Sequence, residues 1–292
     1  MDKIKIFLLS VSVVVLLLIA VVVGLAHLYV DKANGSEHYA QTYFNKLGID
    51  YEFGRVRSGD RQLRYVHTGQ KDSTKPLILF VHGAPGSWEA YKFFLADTDL
   101  RSMAQLISID RLGYGESDYG QPALDIATHA AAVYQVIEAH PASKVILVGH
   151  SYGGPIVAKV AMTYPKQIGG ILMVAPVNDP HSEPVKWYAH MTNWSLSRAI
   201  LPDYINVCTT EKMNHIQALK DIEYQWSTLA VPVIHYHGEK DGLAPYHGNV
   251  DFSQQHIDPS LLTVVPDSEK GHFILWEKMG TVKRFIMQLL EA

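Results

Sequence analysis

The chain has 292 residues, of which 48% are hydrophobic and 18% charged, and this composition excludes intrinsic disorder over most of its length. The length suits one large α/β domain or two modest ones, with a core large enough to fold without disulfides or structural metals. The net charge of −4 argues against nucleic acid as a partner, because no excess of basic side chains is available for phosphates. The lone cysteine, Cys208, can form neither an intrachain disulfide nor a cysteine-rich zinc site.

The N-terminal segment predicts a membrane anchor. Residues 6–30 include no Asp, Glu, Lys or Arg. As a helix they would span about 37 Å, more than the roughly 30 Å of a hydrocarbon core. Lys3 and Lys5 precede this run, so the positive-inside rule favours a single-pass protein with a cytoplasmic N-terminus and an extracytoplasmic globular domain. A cleaved signal peptide and a secreted protein are the alternative, with Gly24-Leu25-Ala26 as the nearest small-x-small site.

Beyond this segment, apolar runs of strand length alternate with helical patterns. Residues 1–35 are assigned to the anchor and linker, with 33–38 resembling linker, and residues 36–292 to the globular domain. Two opening strands flank a Ser58-Gly59-Asp60 turn and predict an antiparallel edge, whereas the later pattern predicts a mostly parallel sheet covered on both faces. The predicted strands are 49–56, 62–67, 76–81, 104–109, 144–148, 171–174, 231–235 and 262–265, and the predicted helices are 87–96, 125–140, 152–164 and 273–290.

Candidate catalytic residues follow three of these strands. The strand at 144–148 leads into Gly149-His150-Ser151-Tyr152-Gly153, a G-x-S-x-G pattern between a strand and a helix. The flanking glycines permit a turn sharp enough to expose Ser151 as a nucleophile. A serine hydroxyl needs a base, and the base needs an orienting acid. His272, after the last predicted strand, is the candidate base, and Asp241, in the loop after the strand before it, is the candidate acid.

A turn after the strand at 76–81 supplies a candidate oxyanion hole. It reads His82-Gly83-Ala84-Pro85-Gly86. A tight turn built from glycine and proline leaves backbone N–H groups unpaired by the sheet. The Ala84 N–H, together with the Tyr152 N–H that follows the nucleophile, would therefore bind an oxyanion as it develops.

These motifs together resemble the serine-nucleophile, esterase- or lipase-like members of the α/β-hydrolase family, over roughly residues 51–291. The resemblance implies an eight-stranded, mostly parallel sheet flanked by helices, with a helical cap inserted after the sixth strand at about residues 177–225. It also implies acyl transfer from a small-molecule substrate through an acyl-enzyme, without a cofactor. Relatives that open epoxides or remove halogens normally have aspartate at the position of Ser151, so the serine argues against both chemistries. The matching motifs are HGAPG (82–86), DRLGYGESD (110–118), GHSYGG (149–154), HGEKDGLAP (237–245) and GHF (271–273).

Several alternatives stay open at this point. Asp179 and Glu239 are rival acids for the triad. His235 and His237 lie two residues apart on one face of a strand, which is a possible metal spacing, although no third ligand is evident. Two rival functions also remain. An aminopeptidase of the proline-iminopeptidase type would need a buried cap carboxylate near Ser151, and a non-catalytic binding protein would not need the triad.

The cap segment is rich in aromatic residues and methionine, which predicts either an apolar lining over the pocket or packing of the cap onto the core. With such a lining, we expect a small to medium uncharged carboxylic ester as substrate. Cys208 is expected to be a small apolar filler. The aromatic and methionine residues are Trp187, Tyr188, Met191, Trp194, Tyr204, Met213 and Trp226, and the cap carboxylates are Glu183, Glu211, Asp221 and Glu223.

Overall fold

The sheet of the protein contains all the predicted strands. The computed structural model describes residues 3–33, 36–183, 185 and 187–292. Its strands are β1 (Tyr51–Ser58), β2 (Arg61–Thr68), β3 (Leu77–Val81), β4 (Gln105–Ile109), β5 (Val145–His150), β6 (Ile168–Val174), β7 (Val233–Gly238) and β8 (Leu262–Asp267). They form one sheet in the order β1-β2-β4-β3-β5-β6-β7-β8. Strand β2 is antiparallel to β1 and β4, and every other pair is parallel, so the antiparallel edge and the mostly parallel sheet are confirmed.

The helices agree less closely with the sequence patterns. The predicted helix at 87–96 is a 3₁₀ turn, Trp88–Tyr91, followed by α3, and the predicted C-terminal helix is divided into α11 and α12. Helices α2, α4 and α10 were not predicted, and α2 begins at Glu37, inside the stretch that resembled linker. The helices are α1 (Lys3–Ala33), α2 (Glu37–Leu47), α3 (Lys92–Leu95), α4 (Thr98–Met103), α5 (Ile126–Ala139), α6 (Gly153–Thr163), α7 (Trp187–Thr192), α8 (Ser195–Ile200), α9 (Asp203–Glu223), α10 (Tyr246–His256), α11 (Ile274–Glu277) and α12 (Met279–Glu291).

The central strands are buried on both faces of the sheet. In β3, Leu77, Leu79 and Val81 belong to one apolar cluster, while Ile78 and Phe80 belong to another. Successive side chains of a strand point to opposite faces, so these clusters lie on the two sides of the sheet. A continuous apolar strand is what a doubly covered parallel sheet requires. Polar side chains can therefore meet only where the strands end, and that is where the candidate site lies.

Helix α1 contains the stretch of the described chain that is long and apolar enough to cross a membrane. This stretch is Lys3–Leu25, 23 residues with a mean hydropathy of 3.4. None of it is buried against the rest of the described chain, unlike the core helix of a soluble protein. By length and composition it fits a membrane anchor or a signal sequence.

Between β6 and β7 the described chain is helical, as expected for a cap. Helices α7, α8 and α9 occupy this connection, and α9 is the longest of them, with 21 residues. Helix α9 contacts α7 within the cap and α5 on the sheet side. The cap is therefore tied to the rest of the molecule mainly through one long helix.

Candidate active site

Ser151 lies in the sharp turn between β5 and α6. Its backbone φ is +53°, a left-handed conformation that residues other than glycine rarely adopt. The turn is held because the Ser151 N–H donates to Val174 O over 3.1 Å and its carbonyl accepts from Gly154 N over 2.9 Å. A Cβ at Gly149 would lie 2.3 Å from Gly153 O, so this close approach requires glycine. The two glycines of the motif are thus explained by the packing of the turn.

A chain of hydrogen bonds joins the three predicted catalytic side chains. Ser151 Oγ donates to His272 Nε2 over 3.0 Å, and His272 Nδ1 donates to Asp241 Oδ2 over 2.7 Å. The rival acids lie elsewhere. Asp179 accepts a hydrogen bond from the backbone two residues further along, and Glu239 is exposed to solvent. Asp241 is therefore the carboxylate that can orient the His272 ring.

The Asp241 carboxylate is buried and held in its ionised form. Burial raises its pKa, but hydrogen bonds from His237, His272 and the Ala244 N–H outweigh burial and hold the pKa well below its ordinary value. Its Oδ1 accepts from the Leu243 and Ala244 amides, each over 2.8 Å. An acid that stays ionised can fix the His272 tautomer and stabilise the imidazolium that forms during catalysis.

Two buried histidines lie behind Asp241 on β7. His237 Nε2 is 3.1 Å from Asp241 Oδ2 and 3.0 Å from Ala244 O, and both oxygens can only accept, so this nitrogen carries a proton. Its Nδ1 then accepts from His235 Nε2 over 2.9 Å, and His235 Nδ1 accepts from Ser253 Oγ over 3.0 Å. The histidine pair thus supports the acid by hydrogen bonding. Among the residues that the structure describes, no group of three or more side chains could hold a metal ion.

The turn after β3 lies against the nucleophile. A Cβ at Gly83 would be 2.9 Å from Ser151 Cβ, so glycine is needed for this approach. Ala84 and Tyr152, the two candidate oxyanion donors, line the same cavity as Ser151. Both residues predicted to form an oxyanion hole are therefore placed beside the nucleophile.

A buried ion pair that the sequence did not reveal joins this turn to the cap. Arg111, in the motif after β4, donates to His82 O and Gly83 O over 3.0 and 3.2 Å. It also makes two hydrogen bonds to Glu211 of α9, over 2.8 and 3.0 Å. Burial raises the pKa of Glu211, but Arg111 and His129 together outweigh burial and lower that pKa to about 2. The Arg111 guanidinium also lies over the Tyr152 ring, 4.6 Å from its centroid, so it contacts both segments of the candidate oxyanion hole.

A cavity of about 280 Å³ lies next to Ser151. Of the two alternatives for the aromatic and methionine side chains of the cap, the lining is not found among the side chains that the structure describes. Trp187 and Trp194 are 71% and 61% exposed, and Trp226 is fully buried in the core; the side chain of Tyr188 lies outside the described residues. The wall formed by the cap instead combines small apolar side chains, such as Val177 and Ala189, with the polar side chains of Glu183, Lys212 and His215. The lining includes Tyr152, Val177, Glu183, Cys208, Lys212 and His215.

Comparison with known proteins gives this architecture a name. Residues 76–198 match the family model of the alpha/beta hydrolase fold. A putative aryl esterase from Burkholderia cenocepacia superimposes with a TM-score of 0.65 and 20% identity, over 82% of this chain and 100% of that one. The chain has the α/β-hydrolase fold. A membrane phospholipase A, described as a novel bacterial virulence factor, has the same fold with a TM-score of 0.63 and 16% identity, over 99% of this chain and 100% of that one.

Curated relatives of this protein match part of the chain. Epoxide hydrolase 4 of Mus musculus is 30% identical over 128 residues, which is 43% of this chain and 34% of that protein. The chain spans about a third of the length of the curated relatives that it matches first. These similarities support hydrolysis as the general activity of the fold, and the bond that is cleaved has to be argued from the site.

Proposed function

We propose that the chain is a serine hydrolase that cleaves a carboxylic ester, or a related acyl bond, through an acyl-enzyme intermediate. The observation that carries the proposal is the line of hydrogen bonds from Ser151 Oγ to His272 Nε2, 3.0 Å, and from His272 Nδ1 to Asp241 Oδ2, 2.7 Å. A serine within reach of a base, with an acid orienting that base, is the arrangement that nucleophilic catalysis needs. A binding protein without catalysis would not require this geometry.

The mechanism follows from these contacts. Ser151 Oγ attacks the ester carbonyl carbon while His272 Nε2 takes its proton, and the Ala84 and Tyr152 amides bind the resulting oxyanion. When the tetrahedral intermediate collapses, the carbon–oxygen bond to the alcohol breaks and His272 gives its proton to the leaving oxygen. Water then loses a proton to His272 as it attacks the acyl-enzyme, which releases the carboxylic acid and restores Ser151. Asp241 stays ionised throughout and stabilises the charged imidazole.

An aminopeptidase is a weaker candidate, although a buried cap carboxylate does lie at the cavity. Glu183 lines the cavity, where it would be placed to bind the α-ammonium of a peptide. Its Oε1, however, is paired with Lys212 Nζ. Glu211, a second buried carboxylate of the cap, is bound by Arg111. Because both carboxylates already have cationic partners, the charges favour an uncharged substrate over an ammonium.

Epoxide opening is the second candidate, and similarity to epoxide hydrolases is what favours it. In that chemistry an aspartate attacks the epoxide and forms an ester, which water can hydrolyse. Ser151 attacking the same carbon would form an ether, and the base–oxyanion machinery has no carbonyl through which to break it. The serine therefore supports acyl transfer.

An ester series tests the proposal. With para-nitrophenyl esters as substrates of the full-length protein, we expect kcat/KM to rise as the acyl chain is lengthened from acetate. It should fall again once the acyl chain fills the cavity of about 280 Å³. Each buried methylene contributes about 0.8 kcal/mol, or about fourfold per carbon. A flat profile, or one that is best for long-chain triglycerides, would contradict the capped pocket. Faster turnover of styrene oxide would favour the epoxide candidate, and a strong preference for a free α-ammonium would favour the peptidase.

We also propose that residues 1–35 form a signal anchor with its linker, and that residues 36–292 form the hydrolase domain, with the cap at about 177–225. The unburied apolar stretch Lys3–Leu25 supports the anchor. Lys3 and Lys5 favour an extracytoplasmic hydrolase domain.

Membrane association can be measured directly. We expect the full chain to sediment with membranes and to resist extraction with alkaline carbonate, because an apolar span is not released by breaking surface charge contacts. Protease added outside the membrane should digest the hydrolase domain. A soluble mature protein whose N-terminal sequence begins near His27 would show instead that the segment is a cleaved signal peptide.

A further inference from the structure

Helix α9 presents a polar face to the cavity that holds Ser151. Cys208, Lys212 and His215 all line the cavity. Their spacing of four and then three residues places them on one face of the helix. The His215 ring packs against the ring of Tyr152, with centroids 4.6 Å apart. The nucleophile therefore shares its cavity with titratable side chains that take no part in the mechanism described above.

Polar atoms at this wall have no protein partner among the described residues. They are Tyr152 Oη, Glu183 Oε2 and one ring nitrogen of His215, whose other ring nitrogen is hydrogen-bonded to the Val177 backbone. The three residues are 4%, 8% and 1% exposed. Buried polar groups nearly always have hydrogen-bond partners, so several without one around a single cavity indicate a place where a ligand supplies them.

The charges at this wall select the kind of ligand group. Burial, and then the nearby Lys212 ammonium, lower the pKa of His215 to about 3, so its ring is neutral and has one N–H. That N–H donates to the Val177 backbone, which leaves the other ring nitrogen as an acceptor. Glu183 Oε1 is paired with Lys212, which leaves Oε2 as an acceptor. A carboxylate here would be repelled by Glu183, and an ammonium would be repelled by Lys212. A neutral group that both donates and accepts is the best match.

We propose that this polar wall, formed by Tyr152, Glu183 and His215, binds a hydroxyl group of the substrate, so that the preferred ester is a hydroxylated one. The hydroxyl would donate to Glu183 Oε2 or to the free ring nitrogen of His215, and accept from Tyr152 Oη. The inference rests on the proposed ester hydrolysis and extends it to a substrate class. The hydroxyl can belong to either side of the ester, to the acyl chain or to the alcohol.

Matched pairs of esters test the inference in the full-length protein. The first arm compares ethyl butanoate with ethyl beta-hydroxybutanoate, and the second compares butyl acetate with omega-hydroxybutyl acetate, each followed by acid release. We expect kcat/KM to favour the hydroxylated member by about tenfold in one of the two arms, because the plain ester leaves the buried polar groups unpaired. The arm that responds identifies the side of the ester that carries the hydroxyl.

Two variants and one control locate the effect. Tyr152→Phe removes only an unpartnered hydroxyl, so the folded protein should be no less stable, but the preference for the hydroxylated ester should fall several-fold. His215→Phe should reduce the same preference to about one. Met213 lies two residues before His215 on α9 and does not line the cavity. Met213→Leu should therefore leave the preference for the hydroxylated ester unchanged.

The outcomes separate the two proposals. Hydrolysis of plain esters with no hydroxyl preference in either arm would overturn the inference and leave ester hydrolysis in place. A preference that survives both Tyr152→Phe and His215→Phe would also overturn it. Absence of any ester hydrolysis, together with no labelling of Ser151 by a fluorophosphonate, would overturn the proposed function and the inference with it.

Discussion

Replacing Ser151 with alanine should lower kcat/KM for a simple aryl ester by about 10⁴-fold or more, because the attacking atom is removed and only binding and oxyanion stabilisation remain. The fold should be kept. Ser151 has a buried side chain whose hydroxyl bonds to His272 and to no other side chain that the structure describes, and alanine can occupy the same φ of +53° at no greater steric cost. Initial rates on para-nitrophenyl acetate, with circular dichroism and melting temperature, measure both parts of the expectation.

Labelling with a fluorophosphonate provides the second readout. The wild-type protein should gain one adduct, and a peptide map should place it on Ser151. Ser151→Ala should gain none, while Ser227→Ala, which removes an exposed serine far along the chain, should label like the wild type. Activity of Ser151→Ala at the wild-type level would exclude Ser151 as the nucleophile.

The sheet could be predicted because its signal is local. Runs such as Leu77–Val81 and Val145–His150 are apolar throughout, and only a strand buried on both faces accommodates them. Helices α2 and α10 were not predicted because polar and apolar residues are interspersed in their sequences without a clear helical pattern. Helix α10 reads YHGNVDFSQQH, with glycine and asparagine in its first turns, and its stability comes from packing rather than from helix propensity.

The candidate catalytic residues could also be predicted, since Ser151 directly follows β5, and Asp241 and His272 lie in the loops after β7 and β8. The choice of acid could not be made on spacing alone. Asp179 and Asp241 both follow strands, and only the folded chain places Asp241 2.7 Å from His272 Nδ1. The polar wall of the cavity was missed for a related reason. The helical spacing of Lys212 and His215 gives a shared face, but sequence does not say whether that face meets the cavity, the core or solvent.

Arg111 and Glu211 are 100 positions apart in the sequence, so no local pattern predicts that they pair. Both side chains are fully buried. Replacing Glu211 with leucine should destabilise the protein by about 3–5 kcal/mol, because the Arg111 charge would be left buried without its partner. The double variant with Arg111→Leu should recover much of this loss, since it removes the unpaired charge. Urea unfolding of the full chain in detergent measures both values.

The pH dependence of the stability lost in Glu211→Leu shows whether the ionised Glu211 carboxylate is its cause. Burial raises the pKa of Glu211, but Arg111 and His129 together outweigh burial and lower the pKa from 4.5 to about 2. A carboxyl whose pKa is lower in the folded state stabilises the protein fully above its unfolded pKa and loses that contribution as the pH falls through its folded pKa. The stability difference between the wild type and Glu211→Leu should therefore shrink between about pH 5 and pH 2.

A surface pair supplies the control for this prediction. Glu52 pairs with Lys71, and both side chains are 54% exposed, so Glu52→Gln should change the free energy of unfolding by less than about 1 kcal/mol. Glu211→Leu should also lower kcat more than it raises KM, because Arg111 would no longer hold the carbonyls of His82 and Gly83 beside the nucleophile. If Glu211→Leu unfolds like the wild type at neutral pH, the buried pair does not tie the cap to the oxyanion turn.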